Sequence, residues 1–395
     1  MAESPGSSRG RFVMAGNPGS GGQRFVVVGN PGSRRVALFA AAVRAAGLPP
    51  AHVLPWRDVL TGTIAIPTHA LVRIDSPGDD PHVDTLLRGH FAHPPHRVNG
   101  TGPWYQAFTT ALRRLAEVVA GTPRTHLLND PTEVALMLDK RKCHAHLSQA
   151  GLPLPPAITS LPDAAPTIRR RAHTGGNDDG SGGFDALRAR LSAVGWSRVF
   201  VKPAHGSSAS GVVALSVRGD RVEAVSSAAV SSVGLVNSLR VRTYRGGDAV
   251  AVVDRVCADP VHVEKWFPKA SWRNRTIDMR VVVVAGRATH AVVRASRHPM
   301  TNLHLGGERV DVAELRAVVG ATKWRQWLDT CEGVAARFPK SLMVGVDLLL
   351  GVGWGRHVVG EVNCFGDLLP GLAGLPDGPA PGMDTYEAQV AACMT

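Results

Sequence analysis

The sequence predicts an α/β protein in which a short α/β domain precedes a longer, strand-rich part of α+β character. The first reason is length, since 395 residues exceed one ordinary core and indicate two or three domains. The second is that strand and helix patterns alternate from Arg24 to about residue 125. The third is that strand patterns dominate the rest of the chain, so we place the main boundary just before residue 126.

The first predicted element follows a local duplication. Residues 11–20 read RFVMAGNPGS and residues 24–33 read RFVVVGNPGS. The second copy runs directly into the helical pattern RRVALFAAAVRAAGLPP, so we predict that it is the first strand, that residues 1–23 form a flexible tail and that residues 24–125 form the first domain. The GNPGS turn lacks the GK[ST] of a P-loop and the glycines of a dinucleotide fingerprint, and we interpret it as a plain strand-to-helix turn.

Two further helices are predicted before the strands begin to dominate. An amphipathic helix, GPWYQAFTTALRRLAEVVA, begins at Gly102. The next begins after Asn129 or Asp130, has Pro131 in its first turn and ends near Gly151. The polar segment RRRAHTGGNDDGSGG indicates a flexible surface insertion at about 168–183, inside a second domain that covers 126–395.

Composition limits the classes of function. The formal net charge is +12, carried by 37 arginines and only seven lysines that are spread through the chain. Nucleic acid or an anionic small molecule would suit this charge, but 5% aromatic residues and the lack of a stacking motif argue against specific nucleic-acid binding. Because no apolar run approaches the roughly 20 residues that span a bilayer, and no secretory signal pattern is present, we expect a cytoplasmic protein without a membrane partner. Five scattered cysteines without a C-x-x-C pair indicate reduced thiols.

The stretch RVFVKPAHGSSASGVVAL is the first candidate for chemistry. A β-branched strand ends at Lys202, and a loop of small residues from Gly206 to Gly211 leads to the next strand. Glycine and serine let the backbone approach a ligand, and a neighbouring lysine is a point charge suited to phosphate oxygens. The alternative is a solvated hairpin loop with a surface lysine. A Walker loop is excluded because the lysine precedes the glycines.

The stretch VHVEKWFPKASWRNRTIDMRVVVVAGRATHAVVRAS predicts a hairpin that turns at AGR. Asp278 and Arg280 share one face of the first strand, and folding at the turn brings Arg294 of the second strand close to Arg280. Either Asp278 and other acids neutralise these arginines in an internal ion-pair network, or an anionic ligand does. In the following TNLHLGG, Asn302 and two glycines predict a mobile closing loop.

The stretch SLMVGVDLLLGVGWGRHVVGEVNCFG places polar groups inside two adjacent buried strands. Asp347 interrupts the first strand, and Glu361 and Asn363 interrupt the second on one face. Two carboxylates and an amide fit Mg²⁺, which prefers hard oxygen ligands and fills its remaining positions with water and substrate phosphate. The alternative is that the acids are salt-bridged to the arginines of the hairpin.

Seven features in this order resemble the ATP-grasp superfamily, nearest in style to glutathione-synthetase-like and RimK-type carboxylate–amine ligases. They are a DK pair (Asp139, Lys140), a strand ending in KP before a small-residue loop, VEKWF, D-x-R, R-x-S followed by N-x-x-x-G-G, G-x-D and E-x-N. The resemblance covers residues 126 to about 370. It implies a Rossmann-like N-terminal pre-ATP-grasp domain followed by two α+β subdomains that clasp ATP.

The resemblance also implies an activity. It points to an ATP-dependent ligase that uses Mg²⁺, with Mn²⁺ as the alternative ion, and joins a carboxylate to an amine through an acyl-phosphate. The substrates would be small molecules or peptides, and homodimers occur among relatives. The alternative is a non-catalytic module of the same fold that binds ATP without ligating anything.

Residue roles follow from the resemblance position by position. Nucleotide contacts are implied for two lysines, the flap loop and the hinge strand: Lys140, Lys202, His205, Gly206, Ser207, Ser208, Gly211, Glu264, Lys265, Trp266 and Phe267. Catalytic roles at the transferred phosphoryl group are implied for Arg280, Arg294 and Asn302, and metal ligation is implied for Asp347, Glu361 and Asn363. The sequence departs from the family between Lys265 and Ile277, where no acid is available for the ribose. The residues that bind the two substrates are left unassigned.

Overall fold

A computed structural model of the protein describes residues 24–89, 96–158, 183–206, 209–232, 234–366 and 369–394. Three sequence predictions fall outside these ranges. They are the tail at 1–23, nearly all of the insertion at about 168–183, and the two flap serines Ser207 and Ser208.

The first sheet is parallel and is formed by the N-terminal part of the chain. Its strands are β1 (Arg24–Gly29), β2 (His52–Pro55), β3 (Ala70–Ile74) and β4 (His126–Leu127). They lie in the order β2-β1-β3-β4. The helices of this part are α1 (Arg34–Ala45), α2 (Trp56–Thr61), α3 (Pro81–Arg88) and α4 (Thr101–Gly121). The second copy of the duplication forms a strand as predicted, the first one of the described residues, and Ser33 caps α1 by accepting a hydrogen bond from the Arg35 amide.

The first sheet extends beyond the boundary that we expected at residue 126. Strand β4 pairs with β3, although its two residues carry no strand pattern that could have been recognised in the sequence. The following helix is divided into α5 (Pro131–Leu138) and α6 (Lys140–Gln149). Asp130 caps α5, and Asp139 adopts an extended conformation between the helices and caps α6. The division at Asp139 places Lys140 in the first turn of α6.

The second sheet is antiparallel and has its own core. Its strands are β5 (Ala157–Ile158), β6 (Arg198–Pro203), β7 (Val213–Arg218), β8 (Arg221–Ser231), β9 (Gly234–Arg245) and β10 (Val261–Lys265). They lie in the order β5-β10-β6-β7-β8-β9. Helices α7 (Phe184–Ala193) and α8 (Gly246–Cys257) bury apolar side chains with those of the sheet, among them Leu187, Val199, Val201 and Val253.

The third sheet is also antiparallel. Its strands are β11 (Ser271–Trp272), β12 (Arg275–Val284), β13 (Arg287–Ser296), β14 (Glu308–Val310), β15 (Met343–Leu350) and β16 (His357–Asn363), with β14-β13-β12-β15-β16 as the main path. The hairpin predicted at AGR is confirmed as β12 and β13. Helices α9 (Val312–Val319), α10 (Ala321–Ala335) and α11 (Thr385–Met394) complete the described part. Helix α11 packs on α1, where the rings of Tyr386 and Phe39 lie 6.4 Å apart.

The predictions about membrane-spanning segments and cysteines can be compared with the described residues. Within them, the helices are too short or too polar for any one to cross a lipid bilayer. All five cysteines belong to this part of the chain, and each is buried and outside any disulfide. Burial raises the pKa of the Cys143 and Cys257 thiols to about 12, so both are held in the protonated form.

Candidate active site

Two adjoining cavities share part of their lining, and the smaller one lies where residues of the second and third sheets face each other. We call them the small cavity, of about 90 Å³, and the large cavity, of about 410 Å³. The small cavity is lined by charged and apolar side chains of both sheets, among them Lys202, Glu264, Phe267, Lys269, Asp278 and Asp347. The large cavity also takes residues from the first domain, including Arg34 and Arg35 of α1. Five residues line both cavities: Lys140, Gly206, Arg294, Asn302 and Glu361.

Lys140 stands at the wall between the two cavities. Its backbone amide donates to the Ala204 carbonyl at 2.9 Å, which ties the start of α6 to the end of β6. Its ammonium donates to the Gly206 carbonyl and lies 3.1 Å from Glu361 Oε1. The side chain is only 12% exposed, so its charge is directed into the cavity wall rather than into solvent.

Lys202 is held at the end of β6 by a buried carboxylate. Its Nζ lies 2.5 Å from Glu264 Oε1 on the neighbouring strand β10 and donates to the Gly360 carbonyl at 3.2 Å. Burial by itself would raise the pKa of Glu264, but the charges and hydrogen bonds of Lys202 and His262 outweigh it and lower that pKa to about 2. Glu264 is therefore ionised and fixes the position of the lysine head.

The small-residue loop is anchored by the residue that precedes it, His205. The His205 ring stacks on Tyr105 with 4.1 Å between ring centroids, and its Nε2 lies 3.2 Å from Asp139 Oδ2. Burial would raise the pKa of Asp139, but the hydrogen bond and charge of His205 outweigh it and hold that pKa well below its usual value. At the far end of the loop, Gly211 has a φ of +73°, and a Cβ there would come within 2.5 Å of Val98 Cγ1. Only glycine suits that position.

The hinge strand is split between two surfaces. Glu264 and Phe267 line the small cavity, whereas Lys265 and Trp266 line neither cavity. Their amides are already used, because Lys265 N donates to the Pro156 carbonyl at 2.8 Å and Trp266 N to the Arg198 carbonyl at 3.1 Å. Successive side chains of a strand point to opposite faces, so Glu264 and Lys265 cannot share the cavity.

The two hairpin arginines meet at a carboxylate on the neighbouring strand. Asp278 lies opposite Arg294 and Asp347 opposite Arg280 in the ladders. Arg280 donates to both oxygens of Asp347, with 2.9 Å between Nη2 and Oδ2. Arg294 lies 2.8 Å from Asp278 Oδ1 and 3.2 Å from Asp347 Oδ1. Burial would raise the pKa of Asp347, but both guanidiniums outweigh it and lower that pKa. In this state the arginines are neutralised within the protein, as one of the two sequence interpretations required.

The three oxygen-bearing residues lie on one face of the third sheet. Asp347 is opposite Glu361, and Asn363 follows Glu361 by two residues, although a register shift adjoins Asp347. Nδ2 of Asn363 is buried without a hydrogen-bond partner among the described residues. In the same part of the chain, no three His, Cys, Asp or Glu side chains gather as a metal centre. A cation here would need the amide oxygen and a ligand's own oxygens in addition to the two carboxylates.

Similarity to known proteins is found in structure. No model of a known family matches the sequence, and no curated protein matches it. Among solved structures, the chain is similar to the macrocyclase MdnC from Microcystis aeruginosa MRC bound with precursor peptide MdnA, at 12% identity over 94% of this chain and 99% of that chain, with a TM-score of 0.50. The chain has the ATP-grasp fold. The ATP-grasp ligase PsnB, complexed with a phosphomimetic variant of minimal precursor, Mg and ADP, is 17% identical over 94% of this chain and 99% of that chain, with a TM-score of 0.48.

Most of the residues to which the sequence gave nucleotide, catalytic or metal roles gather around the two cavities. Among those that the structure describes, the ones that line neither cavity are His205, Gly211, Lys265 and Trp266. His205 and Gly211 instead hold the two ends of the loop. The metal-ligand assignment for Asp347, Glu361 and Asn363 stays a prediction, as do the catalytic assignments for Arg280, Arg294 and Asn302.

Sequence reasoning missed Lys269 in the small cavity. Its side chain is 8% exposed and lines the small cavity, with Nζ 3.8 Å from Asp278 Oδ2 and 3.3 Å from Thr301 Oγ1. Burial lowers the pKa of Lys269 from its ordinary value. Its position just after the hinge strand, in WFPKAS, could have indicated a role in the site, because lysine is scarce in this chain. Only acids that could bind the ribose were considered in that segment.

Proposed function

We propose that the protein is an ATP- and Mg²⁺-dependent ligase that joins a carboxylate to an amine through an acyl-phosphate. One observation carries this proposal. The five residues common to both cavities, Lys140, Gly206, Arg294, Asn302 and Glu361, were all singled out in the sequence as nucleotide, catalytic or metal residues. A nucleotide in the small cavity and a substrate carboxylate in the large cavity would therefore meet at a wall built from these residues.

The small cavity suits a nucleotide in its charge and its apolar surface. Lys140, Lys202 and Lys269 supply ammonium groups, which act as point charges on phosphate oxygens. Phe200, Val212, Phe267 and Met300 supply apolar surface that could cover a base. The lysines are now paired with Glu361, Glu264 and Asp278, so a polyphosphate would compete with these carboxylates for the same cations.

The residues present fit Mg²⁺ in their chemistry. Asp347, Glu361 and Asn363 offer two carboxylates and an amide oxygen on one sheet face. Bound there, the ion would neutralise phosphate charge as a Lewis acid. Asp347 already receives two guanidiniums, so Glu361 and Asn363 are the less occupied ligands.

The proposed reaction has two balanced steps. A carboxylate oxygen of the first substrate attacks the γ-phosphorus of ATP, the bond to the β-phosphate oxygen breaks, and ADP leaves. The amine of the second substrate then attacks the acyl carbon, the bond from carbon to the phosphate oxygen breaks, and inorganic phosphate and one proton are released. Lys140 and Arg294 at the shared wall would stabilise the charge on the transferred group. Closure of the anchored loop would exclude water that otherwise hydrolyses the acyl-phosphate.

A second candidate is an ATP-binding module without ligase activity. The observation that favours it is that the charged groups of the site are paired with one another. Arg280 and Arg294 are neutralised by Asp278 and Asp347, and Lys140 is paired with Glu361. Because the charges of these residues compensate one another, the site needs no substrate to be stable.

The two candidates are separated by a screen for phosphate release. The protein is incubated with ATP and Mg²⁺ across paired pools of carboxylates and amines, with mass detection of any new amide. The ligase predicts phosphate release that requires one pair, whereas the binding module predicts ATP binding without phosphate release under any pair. Glu361→Gln should abolish ADP release and only weaken ATP binding. Glu223→Gln, on the exposed pair with Arg245, is the matched control. Unchanged turnover in Glu361→Gln would refute the metal role.

A further inference from the structure

The large cavity has more positive charge than the proposed transfer of a phosphoryl group requires. Among the described residues, its lining contains two carboxylates, Asp79 and Glu361. Its cationic lining residues are Arg34, Arg35, Lys140, Arg280, Arg294 and Arg309. Six cations and two acids belong to the described lining, and Arg34 and Arg309 form no ion pair there, so the cavity suits negative charge.

The six cations form two groups with different surroundings. Lys140, Arg280 and Arg294 stand at or near the wall shared with the small cavity, and each is paired with Glu361 or Asp347. Arg34 and Arg35 start helix α1 in the first domain, and Arg309 lies on the edge strand β14. We call Arg34, Arg35 and Arg309 the outer arginines. Arg34 and Arg309 form no ion pair within the described ranges.

The outer arginines are partly positioned by backbone carbonyls. Arg35 Nη1 donates to the Phe365 carbonyl at 2.6 Å, and Arg309 Nη1 donates to the Pro370 carbonyl at 3.0 Å. Both carbonyls belong to the segment that follows β16 and lines the same cavity. A guanidinium has five N–H donors, so the single carbonyl bond of Arg309 leaves several of its donors available to an anion.

The ladder register places like charges side by side. Arg309 lies directly opposite Arg294 in the β13-β14 pair, and the neighbouring acid Glu308 is engaged by Arg275 at 2.5 Å. Like charges directly opposite each other in a sheet are destabilising unless something compensates them. Arg294 is compensated by Asp278 and Asp347, whereas Arg309 has no acidic partner among the described residues.

We propose that the large cavity accepts a substrate with at least two carboxylates, one placed at the shared wall and the other held by the outer arginines. Apolar residues of the same lining, such as Leu303, Val362 and Leu369, would contact the carbon chain that joins the two carboxylates. Activation of the first carboxylate rests on the proposed function. Anchoring of the second carboxylate by the outer arginines does not depend on it. A free dicarboxylic acid and a peptide with two acidic side chains present the same chemistry.

Isothermal titration calorimetry of the full chain tests this proposal without turnover. Glutarate is compared with butyrate, and acetyl-Glu-Ala-Glu-amide with acetyl-Gln-Ala-Glu-amide, at one fixed ionic strength. We expect one or both dianions to bind about tenfold tighter than the matched monoanion. Preference for glutarate or for the peptide identifies the source, and either supports the site. Equal affinity within both pairs overturns the proposal.

Variants locate the second carboxylate. The double variant Arg34→Gln/Arg309→Gln should remove the roughly tenfold preference for the dianion and leave monoanion binding unchanged. Arg44→Gln, in the last turn of the same helix α1 and outside the cavity, is the matched control and should keep the preference. An equal loss in Arg44→Gln, or none in the double variant, overturns the assignment. If dianions bind in this way while no acid and amine pair releases phosphate, the ligase proposal fails and the anion site stands.

Discussion

Lys140 and Glu361 meet at the wall between the small and the large cavity, with 3.1 Å between Nζ and Oε1. This contact joins the first residue of α6 to β16, two elements that are more than 200 residues apart in the sequence. We propose that both residues act on the transferred phosphoryl group. Lys140 would contact its oxygens, and Glu361 would act through the bound cation. Binding of ATP would replace an internal ion pair with contacts to the nucleotide.

Replacing Lys140 should impair the chemical step. With Lys140→Met, we expect ADP release to fall about 100-fold, because one donor to the transferred phosphate is lost from a site with little solvent. Steady-state ADP release at saturating ATP measures this. Lys142→Met is the control, since its side chain is 61% exposed and lines neither cavity. A comparable loss in both variants would contradict the role of Lys140.

Replacing Arg294 should destabilise the fold. With Arg294→Met, we expect the free energy of unfolding to fall by about 3–5 kcal/mol, because Asp278 and Asp347 remain buried with fewer cations around them. Urea unfolding measures the change. Adding Asp278→Asn to Arg294→Met should restore part of the loss. Arg245→Met removes a surface pair and should cost under about 1 kcal/mol. A similar small cost for Arg294→Met would show that the buried network does not support the fold.

Glu264 should make the protein sensitive to acid. Its pKa in the folded protein is about 2, below the ordinary value of 4.5, because Lys202 and His262 outweigh its burial. The contribution of Glu264 to the free energy of unfolding is therefore complete above pH 4.5 and is lost as the pH falls toward 2. It amounts to on the order of 3 kcal/mol in total.

Two variants isolate the Glu264 contribution. Urea unfolding at pH 6 and pH 3 should show a smaller loss of stability in Glu264→Gln than in the wild type. Burial also lowers the pKa of His262, which adds to the acid sensitivity between pH 6.5 and lower values in both proteins. Glu223→Gln, on the protein surface, should retain the wild-type loss. Identical losses in Glu264→Gln and the wild type would contradict the assignment.

Lys269 should contribute to nucleotide binding rather than to stability. With Lys269→Met, we expect the affinity for ATP to fall about tenfold, while the free energy of unfolding changes by less than about 1 kcal/mol. The fold should tolerate the change because a buried charge is removed and Asp278 keeps Arg294 and Thr301 as partners. Calorimetric titration with a non-hydrolysable ATP analogue and urea unfolding measure the two effects. Lys265→Met changes an exposed lysine outside the cavity and should leave ATP affinity intact. Equal affinities for the two variants would exclude Lys269 from the site.

The predicted elements agree with the structure where patterning is strong. The strand after the second repeat, the long helix from Thr101 and the hairpin at AGR all have unambiguous periodicity, and all are present. The helix around Asp139 was predicted as one element but is two. Asp139 caps α6, and this single polar residue interrupts the apolar pattern too briefly to reveal the break in the sequence. The two-residue strand β4 was missed because so short a strand has no periodicity to detect.

The candidate site could be predicted only in part, because motifs identify residue types but not the contacts between distant segments. Motif order pointed to Lys140, Lys202, Arg294 and Glu361 because their residue types and spacing match a known arrangement. It could not show that Lys265 and Trp266 turn away from the cavity, since their amides are engaged by distant carbonyls. Nor could it associate Arg34 with Arg309, which lie in different domains and have no shared motif.

The sequence by itself determined the class of fold, the positions of the main strands and helices, and the residue types available for phosphate, carboxylate and metal. These depend on local periodicity and on composition. Tertiary structure decided which charges neutralise each other, that Lys269 lines the small cavity, and that Arg34 and Arg309 line the same large cavity. Those outcomes depend on ladder register and on contacts between residues far apart in the chain, because an ion pair forms only where two side chains are brought within a few ångströms and shielded from water.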